Sequence, residues 1–269
     1  MTKQPLPPPL PPETRTVGQL VAESLRLYGN HVWAALALGL SVTVINQVSA
    51  GRETVVQVLV LTAGAPLMAA SFTGAASLVG GVRPATAELA RAVIVGTLVF
   101  VPAAFLSLVF IFPAIAWLAL VGLVVPVLVI ERLPVAAALR RAVELGRVDF
   151  VHAFGSLATL VILFGLVRLM LALLLRDLGD SEERIALGLA DLVVSPLLFL
   201  GGALLYVDQA ARARVRSRED PQGAASGPPA GSRQSGGDTN ADVSDAHHAD
   251  SPGRADPEGE PGAAARGEP

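Results

Sequence analysis

The sequence predicts an all-α fold: a polytopic membrane helical bundle of about six transmembrane helices, with short interfacial amphipathic helices and a disordered C-terminal tail. Hydrophobic residues make up 52% of the 269 residues and charged residues only 16%, against about 25% in soluble domains. Residues 93–130 contain no charged residue, although about 20 apolar residues already cross the hydrocarbon core of a bilayer. A soluble chain of this size cannot bury such a run on every side, so a membrane bundle is predicted.

The first elements are a proline-rich leader and an amphipathic helix. Residues 1–15 are rich in proline and have no apolar core of the kind that signal peptides carry, so we expect a disordered leader. In residues 16–28, apolar side chains recur at helical spacing and polar ones lie opposite. This pattern predicts a short helix in the membrane interface.

The next two apolar runs predict a transmembrane hairpin. They cover residues 32–48 and 55–79, and Gly51, Arg52 and Glu53 separate them. The second run is rich in glycine and alanine, which let helix backbones approach closely in a membrane.

The long uncharged stretch has room for two further spans. Pro84 suits the first position of a short helix that ends near Arg91. We expect spans over residues 92–112 and 114–130, with the break at Phe112 and Pro113.

The second half of the chain predicts an amphipathic helix and two last spans. The amphipathic helix covers residues 134–147, and the spans cover 151–175 and 185–206 with an acidic loop between them. Pro196, in the last span, indicates either a kink or the discontinuous helix found in some transporters. Residues 217–269 have almost no aliphatic side chains, which predicts a disordered tail and leaves 16–216 as the transmembrane domain.

The arginines and lysine predict the orientation of the chain. With the N-terminus inside, the cytoplasmic segments between Lys3 and Arg218 receive thirteen basic residues, and the outer loops receive only Arg52, Arg176 and Arg184. Because cytoplasmic loops of membrane proteins carry an excess of basic residues, we expect a cell (plasma) membrane protein with both termini in the cytoplasm.

Two charged residues fall inside the predicted spans, and they are the candidate functional pair. Arg168 and Asp191 lie at similar depth on neighbouring antiparallel helices. A charge at that depth costs a few kcal/mol, so pairing is expected. One interpretation is a substrate or proton site facing an outward cavity, and the other is an ion pair that fixes the packing of the last hairpin.

Other chemistry is sparse in the sequence. The chain has no cysteine and four scattered histidines, and the common catalytic motifs are missing, so we expect no enzyme, no metal site and no cofactor. Nineteen arginines against one lysine are typical of a GC-rich bacterial genome. Arg140, Arg141 and Arg147 on the predicted amphipathic helix are candidate interfacial contacts to lipid headgroups. The expected partners are the lipid bilayer and a membrane protein or second copy of the chain, without nucleic acid.

Three stretches of the chain resemble a bacterial membrane-protein family, the membrane domain found beside glycerophosphoryl diester phosphodiesterases. They are TVGQLVAESLRLYGNHVWAALAL at the start, VPVLVIERLPVAAALRRAVELGRVDFVHAFG in the middle and PLLFLGGALLYVDQA near the end. The likeness covers residues 16–218, without the phosphodiesterase barrel. Tyr206 and Asp208 match the closing pattern of the family, and we expect them to be an interface anchor and a helix-end cap.

Two functional hypotheses remain open. The first is a non-enzymatic membrane protein that acts through lipids or membrane partners in the cell envelope. The second is a small transporter or channel that uses the region of Arg168 and Asp191. A transporter predicts a water-accessible cavity at this pair, whereas the first hypothesis predicts a packed centre and a direct ion pair.

Overall fold

The computed structural model describes residues 11–176 and 179–219, and within these ranges the regular secondary structure is helical, without a strand. Six of its helices are long and apolar enough to cross a membrane. The predicted all-α bundle with about six spans is therefore confirmed. Most of the predicted tail, and residues 1–10 of the predicted leader, lie outside the described residues.

The N-terminal segment is ordered from residue 11 onwards. Pro12–Thr14 form a 3₁₀ turn, and Arg15 is buried, so the expected disorder of residues 1–15 is wrong for this part of the leader. Helix α1 (Val17–Asn30) starts at a capping box, in which the side chains of Thr16 and Gln19 each accept a hydrogen bond from the other's backbone N–H. This helix confirms the amphipathic segment read from the sequence.

Helices α2 (Val32–Ser49) and α3 (Thr54–Gly80) form the predicted hairpin. Small side chains on α3, including Ala65 and Ala69, are buried, as their close-packing role predicts. The hairpin ends at Gly81, whose φ of 60° is left-handed backbone that glycine adopts without a steric penalty.

Helix α4 (Thr86–Val109) is continuous, so the predicted short helix ending near Arg91 does not exist as a separate element. No glycine or proline interrupts the sequence at that point, and the Glu88 carboxylate caps the helix by accepting a hydrogen bond from the Ala85 N–H at 3.0 Å. The next break is at Phe110, in extended backbone, two residues before the predicted position.

Helix α5 (Ile111–Val121) continues through the helical segments Val124–Pro126 and Val127–Glu131, the latter a π-helix. Most of the side chains from residue 122 to 129 are buried, so this span lies inside the bundle. The chain then turns at Arg132, which has a left-handed φ of 54°.

Helix α6 (Val135–Val148) is the predicted second amphipathic helix, and α7 (Phe150–Leu175) is the fifth span. The Asp149 carboxylate caps α7 by accepting a hydrogen bond from the His152 N–H at 3.1 Å. Large apolar side chains such as Ile162 and Leu174 are exposed along α7, which is the arrangement a bilayer requires of a peripheral span.

The last span consists of helices α8 (Asp180–Val194) and α9 (Pro196–Glu219), which meet at Ser195. Ser195 keeps right-handed helical angles, so the backbone before Pro196 is not an unwound segment. Both helices run past the predicted bounds: α8 begins inside the predicted acidic loop, and α9 continues to Glu219. The predicted start of the disordered tail at residue 217 is therefore too early.

Helix α9 occupies the centre of the bundle. It packs against α1, α3, α6 and α7, and its side chains Leu200, Ala203 and Leu205 are buried. Because the chain crosses the bundle six times, Arg15 and the end of α9 lie at the same end of it. We call this end the terminal face and define it by Arg15 and Arg212.

Candidate functional site

The structure brings Arg168 and Asp191 together inside the bundle. The Arg168 Nη1 atom on α7 lies 3.3 Å from the Asp191 Oδ2 atom on α8. The Asp191 side chain is 1% exposed, whereas that of Arg168 is 34% exposed. The carboxylate is therefore enclosed by protein, and the guanidinium reaches it from the outside of the bundle.

Asn46 on α2 completes this intramembrane cluster, and sequence reasoning did not place it beside Asp191. Its Nδ2 donates to Asp191 Oδ2 at 2.9 Å, so one carboxylate oxygen receives both partners. The other oxygen, Oδ1, is buried and has no hydrogen-bond partner among the described residues. A donor group that reached Oδ1 would form the hydrogen bond that this oxygen lacks and would change how the cluster is bonded.

Helices α2 and α8 approach so closely that their backbones fix the cluster. Ser195 Oγ donates to the Gly39 carbonyl oxygen at 3.4 Å, and a Cβ atom added to Gly39 would overlap the carbonyl oxygen of Leu192. Further along the pair, Gln47 Nε2 donates to the Arg184 carbonyl at 2.7 Å, and Arg184 Nη2 donates back to the Gln47 carbonyl at 3.2 Å. These contacts leave little freedom for the two helices to separate.

A second polar cluster lies at the terminal face, and it begins with an ion pair between Arg15 and Asp208. The two side chains are separated by 2.7 Å and are 8% and 0% exposed. Asp208 lies in the middle of α9, so the expectation that it caps a helix end is wrong. Its role is to hold the segment before α1 onto α9.

Arg212 joins three parts of the chain in the same cluster. Its Nη1 lies 2.6 Å from Asp149 Oδ2, and its Nη2 donates to the backbone carbonyl of Arg15 at 2.9 Å. His152 Nε2 is 3.3 Å from the same Nη2 atom. The N-terminal segment, the junction of α6 and α7, and helix α9 are thereby fastened together.

Tyr206, which was expected to be an interface anchor, has a protein partner for its hydroxyl. Its hydroxyl donates to Glu131 Oε1 at 2.7 Å, and Arg141 Nε lies 3.7 Å from Glu131 Oε2. Sequence reasoning missed these partners because Glu131 is 75 residues away from Tyr206 in the chain. The only signal in the sequence was the position of Glu131, which ends the fourth span a few residues before α6 begins.

The three arginines proposed as lipid contacts on α6 differ in their surroundings. Arg140 and Arg147 are exposed and line one open surface groove together with Leu139 and Val143. Arg141 is half-buried and lies near Glu131 and Glu144. Arg140 and Arg147 therefore keep free faces for an external anion, whereas Arg141 is held by carboxylates.

The centre of the bundle contains a partly enclosed apolar cavity of about 170 Å³. Six spans contribute to its wall, with side chains that include Val42, Phe72, Phe100, Leu118, Leu160 and Phe199. The wall offers water no charged or hydrogen-bonding side chain. It therefore resembles neither an ion path nor a catalytic pocket.

Within residues 11–176 and 179–219, no group of three or more histidine, aspartate or glutamate side chains is arranged to hold a metal ion. No protein-family model matches the chain, and no match was found among curated proteins or solved structures. The resemblance to the membrane domain found beside glycerophosphoryl diester phosphodiesterases stays a prediction.

Proposed function

We propose that this chain is a non-enzymatic multi-pass protein of the cell membrane that acts through lipids or membrane partners, with both termini in the cytoplasm. One observation carries the proposal: the two charges inside the spans, Arg168 and Asp191, are closed on each other at 3.3 Å. An ion pair of this kind satisfies the charges that a bilayer penalises, and together with Asn46 it occupies the Oδ2 atom of the carboxylate.

The packing around the pair supports this proposal. Asn46 occupies the same carboxylate oxygen, and Gly39 lets the backbones of α2 and α8 touch. A transport site has to open and release its ligand, which would require these two helices to separate. The cavity in the bundle centre is apolar and thus gives no polar route toward the pair.

The placement of the carboxylates supports a non-enzymatic role. Asp208 lies against Arg15, Asp149 against Arg212, and Asp191 against Arg168. Each of these acidic side chains is paired with an arginine from a different helix or segment, which suits fastening more than proton transfer.

The exposed arginines of α6 support a role at lipid headgroups. Arg140 and Arg147 are about two helical turns apart on α6 and line one groove together with Leu139, Val143 and Glu144. An arginine near an anionic leaflet contributes about 1 kcal/mol. Because anionic lipids and excess basic residues both belong to the cytoplasmic side, this observation agrees with the proposed orientation.

A transporter is the second candidate, and one observation favours it. The Oδ1 atom of Asp191 is buried without a partner among the described residues, one turn from the junction of α8 and α9 at Ser195. A proton or a solute hydroxyl binding to that oxygen would give the cluster a second state.

Cysteine labelling distinguishes the two candidates, since the chain has no native cysteine. Thr43 and Ser195 lie about one turn deeper than the intramembrane cluster, on α2 and α8–α9, while Ser181 is exposed at the start of α8. The variants Thr43→Cys, Ser195→Cys and Ser181→Cys are each treated in intact cells with a membrane-impermeant thiol reagent.

The proposal expects labelling at Ser181→Cys and none at the two deeper positions. Labelling of Thr43→Cys and Ser195→Cys at a rate similar to that of Ser181→Cys would reveal a water-filled cavity around Asp191. That result would overturn the closed-bundle proposal in favour of a transporter. Denatured samples of each variant, labelled in parallel, show that the deeper thiols are reactive once exposed.

A further inference from the structure

We infer that the central apolar cavity is a binding site for one hydrocarbon chain, namely an acyl chain of a membrane glycerolipid. The inference rests on the proposed function, and it names the part of the lipid that the bundle recognises. It concerns the interior of the bundle, whereas the headgroup contacts proposed above lie on α6.

The position of the cavity fits a chain end and not a headgroup. Val42, Phe72 and Phe100 each lie within about two turns of the midpoint of their spans, which are Val32–Ser49, Thr54–Gly80 and Thr86–Ser107. The cavity therefore lies near the level where the acyl chains of a bilayer end.

The chemistry of the wall selects hydrocarbon over water. A buried water molecule requires two to four polar partners, and the side chains around this cavity provide none. An empty cavity would deprive its large wall residues, among them Phe72 and Phe199, of dispersion contacts on one side. A hydrocarbon chain restores those contacts and needs no hydrogen bond.

The size of the cavity sets how much of a chain it holds. A volume of 170 Å³ corresponds to about six water-sized units of 30 Å³ each, and a methylene group is of similar size. The cavity thus accepts about the last six carbons of one chain, without a second. The cavity is only partly enclosed, and its wall residues Leu118, Leu157 and Val161 are partly exposed, so an acyl chain can enter beside them.

The driving force differs from that of a soluble lipid-binding protein. A chain that leaves the bilayer for the cavity moves from one apolar medium to another, so the hydrophobic effect contributes little. Shape and dispersion contacts decide the occupancy, together with the high concentration of acyl chains in the membrane. Filling the cavity with a protein side chain should therefore exclude the lipid chain.

Trp117 provides a reporter at the cavity wall. It precedes the wall residue Leu118, and its Nε1 donates to the Val99 carbonyl at 2.9 Å, next to the wall residue Phe100. The one other tryptophan of the chain, Trp33, is 85% exposed and is removed in the variant Trp33→Phe.

The experiment titrates the Trp33→Phe protein in detergent with a phosphatidylglycerol whose acyl chains carry bromine atoms near their ends, because bromine quenches nearby tryptophan fluorescence. We expect a saturable quenching of Trp117 above the linear background from lipid in the micelle. Adding Val161→Phe, which fills the cavity from α7, should weaken the saturable phase about tenfold, whereas Ile162→Phe should change it less than about twofold. Ile162 is the matched control because it is the next residue on α7 and is 58% exposed.

Linear quenching alone in the Trp33→Phe protein would overturn the inference, and so would equal effects of Val161→Phe and Ile162→Phe. If Val161→Phe fails to give a monodisperse protein, Leu157→Phe fills the same cavity and takes its place. A negative result here, with Thr43→Cys and Ser195→Cys unlabelled in cells, removes the chain site and leaves the closed bundle intact. Labelling of Thr43→Cys and Ser195→Cys, with saturable quenching of Trp117, would overturn the closed bundle and keep the acyl-chain site.

Discussion

The two polar clusters of this bundle differ in how completely their charges are enclosed. At the terminal face, Arg15 and Asp208 are 8% and 0% exposed and join residues 193 positions apart. In the intramembrane cluster, Asp191 is equally buried, but Arg168 is 34% exposed and approaches from the surface of α7. The Arg15 side chain is enclosed by protein, whereas the Arg168 side chain can extend along the outside of the bundle.

This difference indicates different roles for the two clusters. Arg15, Asp149, Asp208 and Arg212 fasten three segments that are far apart in sequence, so their loss should loosen the whole terminal face. Arg168 and Asp191 join two neighbouring helices, and a long arginine side chain can carry its charge toward the interface when its partner is gone. The pair of Arg15 and Asp208 should therefore contribute more to the free energy of unfolding than the pair of Arg168 and Asp191.

The largest effect is expected from Asp208→Leu, which leaves the buried Arg15 without its carboxylate. Removal of one partner of a buried ion pair typically costs about 3–5 kcal/mol in the free energy of unfolding. The measurement is an unfolding titration of the purified protein in detergent. The double variant Arg15→Leu/Asp208→Leu should recover most of the loss, because no unpaired charge remains. Equal stability of Asp208→Leu and the unmodified protein would contradict the assigned role.

A smaller loss is expected from Asp191→Leu in the same titration. It removes the hydrogen bond from Asn46 and the partner of Arg168, for which about 1.5–3 kcal/mol is typical of bonds to a charged group. Because Arg168 is partly exposed, its charge can relocate and limit the loss. A loss larger than that of Asp208→Leu would reverse the comparison between the two clusters.

The close approach of α2 and α8 is tested by Gly39→Ala. The added methyl group would overlap the Leu192 carbonyl, and overpacking of this kind costs about 1–3 kcal/mol. Gly155→Ala on α7 is the matched control, since a Cβ atom there meets no neighbour within 4 Å. The control should gain up to about 1 kcal/mol from helix propensity. Similar stabilities of the two variants would show that the helices can separate without a penalty.

The smallest effect is expected from Tyr206→Phe, which deletes the hydroxyl that donates to Glu131. A hydrogen bond of this kind contributes about 1 kcal/mol, and the ring keeps its packing. Thermal unfolding of the variant beside the Asp208→Leu protein measures the difference on one scale. A loss as large as that of Asp208→Leu would mean that Glu131, and not Arg15, anchors α9.

The spans were predictable from the sequence because uncharged runs of sufficient length have few alternatives to crossing a membrane. Pairing at the terminal face was not predictable, since nothing local singles out Arg15 from the other arginines or links it to Asp208 across 193 residues. The sequence prediction wrongly divided helix α4 into a short helix and a span, because the polarity of the sequence changes near Arg91 while its helix propensity does not. For the intramembrane cluster, matching depth identified Arg168 and Asp191, but the contribution of Asn46 depends on how α2 is rotated.

The most direct test of this account is the labelling of Ser181→Cys and Ser217→Cys in intact cells with a membrane-impermeant thiol reagent. Both serines are exposed, and they lie near opposite ends of the last span. With both termini in the cytoplasm, Ser181→Cys should react in intact cells, and Ser217→Cys should react only after the membrane is permeabilised. Reaction of Ser217→Cys in intact cells, with Ser181→Cys protected, would place the termini outside and contradict the proposed topology. Reaction of both would contradict a last helix that crosses the membrane.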